Sequence, residues 1–121
     1  MNMNPSLRHA YRAELQAARV AAAEGRFETA FHHLERAHVL SQRHTAQHVY
    51  VHGLMLRLGI STRAWREVLG QATRILAAAL FSRVWVPIGN TGRANVSALQ
   101  PMPIPADLQA VLNASEETSW H

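Results

Sequence analysis

Cysteine and lysine are both missing from this chain of 121 residues. The absence of cysteine excludes disulfides, thiolate zinc sites, iron–sulfur clusters and cysteine nucleophiles, so any metal ion has to be bound by histidine or carboxylate. All 12 basic residues are arginine, which raises the sequence pI to about 11.0 although the formal net charge is only +4. Because acidic residues interrupt the arginine-bearing face of the first predicted helix, we do not predict nucleic-acid binding.

Long hydrophobic runs are also missing. The apolar stretch at positions 75–82 lies between two arginines and is far shorter than the roughly 20 residues that a membrane span needs. The N-terminal stretch 1–15 carries charged residues and no apolar segment of the kind found in secretory signals, so the expected compartment is the cytoplasm. The length predicts a single domain over residues 1–121.

The spacing of apolar residues predicts an all-α fold, a small helical bundle of four main helices. They are expected at about 5–24, 27–40, 48–58 and 65–83, with Asn4 and Pro5 starting the first, Gly25 ending it, and Gly59 ending the third. The small facing residues of helices 1 and 2 resemble a tetratricopeptide hairpin, but no second copy follows. The fourth helix is the most apolar, and we expect it to be the most completely buried.

Prolines dominate the chain after the fourth helix. Pro101, Pro103 and Pro105 alternate with apolar residues, a pattern that favours an extended path because proline lacks a backbone N–H. We therefore predict an extended Pro-rich strap over residues 84–105 that packs across the helices. A short C-terminal helix from 106 to about 112 and a polar, flexible tail over 113–121 complete the prediction.

Histidine is the informative residue type, with eight in the chain. His44, His48 and His52 are spaced i, i+4, i+8, so each adjacent pair lies about 6 Å apart at Cβ and can share one ion. The outer two are about 12 Å apart along the helix axis, so all three cannot bind the same ion. A complete site therefore needs ligands from a second helix.

The predicted hairpin of helices 2 and 3 supplies them. With a turn at 42–43, His38 faces about His48 and Glu35 faces about His52. The predicted metal site is Glu35, His38, His48 and His52, with His44 in reserve if the turn lies one residue later. Imidazole suits Zn, Ni, Co and Cu(II), so the residue types do not select the ion.

Three alternatives stay open. In the first, the histidines are hydrogen-bonded structural residues that bind no metal. In the second, the chain is a protein–protein interaction module or a homodimer without metal. In the third, Glu35 and His38 belong to a diiron-like or hydrolytic enzyme, which the absence of a second such pair and of further carboxylates disfavours. No HExxH, P-loop or nucleophile elbow is present, so no catalytic residue is assigned.

Two blocks of sequence resemble a known family. The first is Glu35-x-x-His38-x-Leu40-x-Gln42-x-x-Thr45-x-x-His48-x-x-x-His52, and the second comprises Gly89-Asn90-Thr91-Gly92-x-Ala94-Asn95-Val96-Ser97 and Pro101-Met102-Pro103-Ile104-Pro105-x-Asp107-Leu108. Over about residues 7–112 the chain resembles the bacterial family filed as domain of unknown function 3703. The resemblance implies no activity, but genes of that family tend to lie near heavy-metal resistance and efflux genes, which implies a link to heavy-metal handling. Arg93 departs from the small residue expected there.

Overall fold

A computed structural model of the protein shows five helices and no strand among the residues that it describes. The backbone is described for residues 3–81, 93 and 101–119, and the side chains for the same residues apart from 78–81 and 117–119. The helices are α1 (Pro5–Ala23), α2 (Phe27–Leu40), α3 (Thr45–Ser61), α4 (Trp65–Phe81) and α5 (Ala106–Ser119). The all-α prediction is confirmed.

The ends of α1 follow directly from its sequence. The side chain of Asn4 accepts a hydrogen bond of 2.9 Å from the backbone N–H of Leu7, and Pro5 occupies the first helical position, where no N–H is needed. Gly25 then adopts a positive φ of 74°, which glycine does without steric cost and which turns the chain into α2. Both predicted boundaries of α1 are confirmed.

The hydrophobic core lies between α1, α2 and α3 and is closed by α5. The α1–α2 and α3–α4 pairs form the most extensive contacts, and α5 packs against α1 and α2. Fully buried apolar side chains include Leu7, Leu40, Val51 and Met55. Burial of each such side chain contributes about 1.5–3 kcal/mol, so this core holds together the two helices on which the histidines lie. The likeness of the α1–α2 hairpin to a tetratricopeptide unit stays a prediction.

The expectation that the fourth helix is the most buried is wrong for its described side chains. Trp65, Leu69 and Leu76 are 62%, 71% and 61% exposed, and only Glu67 and Gln71 of this part of α4 are buried. The physical reason is that, among the helices that the structure describes, α3 is the only one that packs extensively against α4. One side of α4 therefore faces a neighbour through polar residues, while much of its apolar side faces solvent.

The third and fifth helices differ from their predicted bounds. Helix α3 begins three residues earlier than predicted, at Thr45, and continues through Gly59 to Ser61. A Cβ at Gly59 would lie 3.2 Å from Cγ2 of Val68, so this glycine permits the close approach of α4 and does not end the helix. Helix α5 continues to Ser119, beyond the end expected near residue 112 and into the segment expected to be a flexible tail.

The predicted strap falls mostly outside the described residues. Of positions 84–105, only 93 and 101–105 are described, and none of these is helical. Ile104 packs against the core, beside the start of α5. Within the described ranges, no helix combines the length and hydropathy required to cross a membrane.

Candidate metal centre

Three histidines meet where the end of α2 faces the first half of α3. His38 lies in the last turn of α2, and the chain reverses through residues 41–44 before α3 begins. His48 and His52 then lie one helical turn apart on the same face of α3. The turn thus brings His38 to the other two residues, as the hairpin argument predicted.

The Nε2 atoms of the three rings form a small triangle. The distances are 2.8 Å between His48 and His38, 3.1 Å between His38 and His52, and 3.2 Å between His52 and His48. A tetrahedral ion with bonds of about 2.05 Å separates its nitrogen ligands by about 3.3 Å, and an octahedral ion with bonds of about 2.1 Å separates cis ligands by about 3.0 Å. The triangle therefore matches three cis ligands of an octahedral ion and is slightly smaller than the spacing around a tetrahedral ion.

Burial favours the uncharged form of the His48 and His52 rings. His38 and His52 are 3% and 4% exposed, and His48 is partly buried. Burial, with a smaller contribution from the neighbouring His52, lowers the pKa of His48 to about 4. Burial is also the largest cause of a lowered pKa at His52, although its hydrogen bond to Gln71 opposes the shift. Neutral imidazole is the form that binds a metal ion.

A buried polar layer lies behind His52. Its Nδ1 atom is 2.5 Å from Oε1 of Gln71, whose Nε2 donates to Oε2 of Glu67 at 2.8 Å. Oε1 of Glu67 in turn accepts a hydrogen bond from Nε of Arg93. The sequence prediction missed Gln71 and Glu67, although their i, i+4 spacing on α4 was an available signal.

Glu35 is not brought into this cluster. Its carboxylate lies 3.1 Å from Nη1 of Arg93 and 3.8 Å from Nδ1 of His32. The carboxylate that was predicted to be the fourth ligand therefore forms an ion pair with the guanidinium of Arg93. This guanidinium also lies 4.1 Å from the centre of the Phe31 ring. Arg93 comes from a distant part of the chain, so its position was not deducible from helical spacing.

The three histidines form a compact group of potential metal ligands. His38, His48 and His52 offer ligand atoms that all lie within 4.8 Å of one another. No other such group of three occurs among the residues that the structure describes. The reserve ligand, His44, is the N-cap residue of α3 and is not a member of the group.

Comparison with known proteins identifies the family but not the activity. Residues 5–112 match the family described as "Protein of unknown function (DUF3703)". The chain belongs to this family. No curated protein and no solved structure shows significant similarity to it. The family assignment expected from the two sequence blocks is therefore confirmed, while the function has to be argued from the site.

Proposed function

We propose that this protein binds one divalent transition-metal ion through the Nε2 atoms of His38, His48 and His52. The observation that carries the proposal is the convergence of these three atoms within 2.8–3.2 Å. Zn, Ni, Co and Cu(II) all accept imidazole ligands. A water molecule or an exchangeable ligand completes the coordination, as is common where three protein side chains bind an ion.

Hydrogen bonding among the rings does not satisfy this arrangement. An Nε2 atom is either a donor or an acceptor, never both. Among three atoms with two available states, at least two are alike, so at least one of the short contacts joins two donors or two acceptors. A cation that faces three lone pairs removes this conflict, which favours metal binding over a purely structural role.

Calorimetric titration of the chelator-treated protein with Zn, Co, Ni and Cu(II) tests the proposal. We expect one ion per chain with a dissociation constant below about 10 μM, and a visible absorption band for bound Co(II). His48→Ala removes one ligand, and we expect it to weaken binding at least about 100-fold. His9→Ala, at an exposed position of α1, is the matched control and keeps parental affinity. Binding weaker than about 10 μM in the parent, or unchanged binding in His48→Ala, contradicts the proposal.

The alternative of a homodimer or interaction module has separate support. Three large apolar side chains of α4 are exposed: Trp65, Leu69 and Leu76. A stripe of this kind on a single helix can pair with its own copy around a two-fold axis. The two functions do not exclude each other, because the histidine cluster lies between α2 and α3 and the exposed apolar residues lie on α4. A cytoplasmic location stays a prediction of the sequence, and the link to heavy-metal handling stays an implication of the family resemblance.

A further inference from the structure

The polar layer behind His52 runs through three residues that the proposed ion does not touch. Hydrogen bonds connect Arg93 to Glu67, Glu67 to Gln71, and Gln71 to His52. Gln71 is 0% exposed and Glu67 is 5% exposed, so protein groups and not solvent supply their hydrogen bonds. A buried chain of this kind has defined donor and acceptor roles.

The carboxylate of Glu67 sets these directions. Its oxygens accept hydrogen bonds, so the side chain of Gln71 presents its amide NH₂ group to Glu67. The same Nε2 atom lies 3.3 Å from Sδ of Met55, a weak acceptor that agrees with this orientation. The carbonyl oxygen Oε1 of Gln71 is then left facing Nδ1 of His52.

A carbonyl oxygen accepts hydrogen bonds and never donates one, so Nδ1 of His52 carries the proton. In a neutral imidazole with a proton on Nδ1, the Nε2 atom holds the lone pair. That atom is the one that lies 3.1 Å and 3.2 Å from Nε2 of His38 and of His48. Glu67 accepts from both Arg93 and Gln71, Gln71 accepts from His52, and the Nε2 lone pair of His52 is left facing the other two Nε2 atoms.

We propose that Gln71 and Glu67 are positioning residues that hold His52 in the Nδ1–H tautomer and so direct its Nε2 lone pair to the bound ion. The inference deepens the proposed function and rests on it for its effect on metal affinity. The tautomer itself is present without metal and is tested separately. Partners of this kind behind metal-binding histidines typically change metal affinity 10- to 100-fold.

Nitrogen NMR of the metal-free protein reads the tautomer directly. In the parent we expect long-range ¹H–¹⁵N spectra to show a protonated Nδ1 and an unprotonated Nε2 for His52, with signals assigned through His52→Gln. Gln71→Met keeps a side chain of similar length without the accepting oxygen, and we expect it to populate the Nε2–H tautomer. Gln109→Met, the same change at a site on α5, is the control and leaves the His52 signals unchanged. A protonated Nε2 in the parent, or an unchanged tautomer in Gln71→Met, overturns the inference.

Zinc titration of the same variants separates this inference from the proposed function. We expect Gln71→Met to bind Zn²⁺ about 10- to 100-fold more weakly than the parent and Gln109→Met to bind it equally. Parental zinc affinity in Gln71→Met overturns the positioning role while the metal site stands. If the parent does not bind zinc but binds Co, Ni or Cu(II), the same comparison is made with that ion. If the parent binds none of the four ions, the proposed function fails, and the effect on affinity fails with it, whatever the tautomer.

A second variant applies if Gln71→Met does not fold. Glu67→Gln keeps the shape of the side chain but is no longer restricted to accepting, so the amide of Gln71 is free to reverse. We expect His52 in Glu67→Gln to populate both tautomers and zinc affinity to fall in the same direction. A single Nδ1–H tautomer with parental zinc affinity in this variant contradicts the inference.

Discussion

His48 shows how one side chain links burial, charge and metal binding. Its imidazole is held between two other rings, with centroids 4.5 Å from that of His38 and 4.8 Å from that of His52. A proton on His48 would place a positive charge in a partly buried site beside His52, whose pKa burial also lowers. Burial therefore lowers its pKa to about 4, which keeps the lone pair available at acidic pH.

The metal-free protein should lose stability as the pH falls from about 6.5 to about 4. In the unfolded chain His48 titrates near 6.5, whereas in the folded protein its pKa is about 4. Between these values the unfolded state binds more protons, so acid favours unfolding by about 1.4 kcal/mol per pH unit for this group. Urea denaturation in chelator at several pH values measures the slope.

His48→Gln removes the titrating group, and we expect the dependence of unfolding free energy on pH to become shallower by about 1.4 kcal/mol per pH unit. His32→Gln, at a side chain that is 65% exposed, is the control and keeps the parental slope. Equal slopes in the parent and His48→Gln would show that His48 is not held neutral in the folded state.

At the scale of elements, the packing of α4 on α3 completes the site. Helix α3 carries His48 and His52, and near its other end Gly59 lets the first turn of α4 approach closely. This close approach fixes the position of α4 along α3 at which Gln71 contacts His52. The α3–α4 contact is therefore part of the candidate metal centre, although α4 supplies none of its three histidines.

Two glycines of α3 provide a matched test of this packing. A Cβ at Gly53 meets nothing within 4 Å, so Gly53→Ala should raise the free energy of unfolding by about 0.5–1 kcal/mol through helix propensity. A Cβ at Gly59 would lie 3.3 Å from Cβ of Glu67 and 3.4 Å from the backbone N of Val68. Because these atoms move only with α4 itself, we expect Gly59→Ala to lower the stability by about 1–3 kcal/mol. Denaturant unfolding measures both, and equal stabilisation by the two changes would refute the close contact.

At the scale of the whole molecule, the exposed face of α4 is the feature that the core does not explain. Trp65, Leu69 and Leu76 are more than 60% exposed and recur at helical spacing on one side. Isolated exposed apolar residues are ordinary, whereas large ones aligned on one helix are typical of an interface. The natural partner for a single such stripe is the same stripe of a second copy.

We therefore expect the protein to form a reversible dimer through α4. Leu69→Gln places a polar group in the centre of the stripe and should weaken dimerisation about tenfold or more, the equivalent of about 1.4 kcal/mol. Val20→Gln, at an apolar side chain of α1 that is 43% exposed, is the control and leaves dimerisation unchanged. Sedimentation velocity over a range of concentrations measures this, and a parent that is monomeric throughout would contradict the prediction.

Local rules of sequence accounted for the helices and for part of the site. The cap at Asn4, the positive φ at Gly25 and the i, i+4 spacing of His48 and His52 depend on neighbouring residues only. Such features are readable without tertiary information because the helical repeat alone sets which side chains share a face. The two blocks of motif residues likewise sufficed to identify the family.

Contacts between distant segments were decided only by the tertiary structure. Glu35 lies one turn from His38 on the same helix, yet the guanidinium of Arg93 diverts it from the histidines. The i, i+4 spacing of Glu67 and Gln71 shows only that they share a face of α4, and the packing of α4 placed them behind His52. The composition and spacing of the chain determined that it is helical and that histidines cluster at one hairpin. Which groups surround that cluster depended on how the helices pack, because side chains far apart in sequence meet only through the relative placement of whole elements.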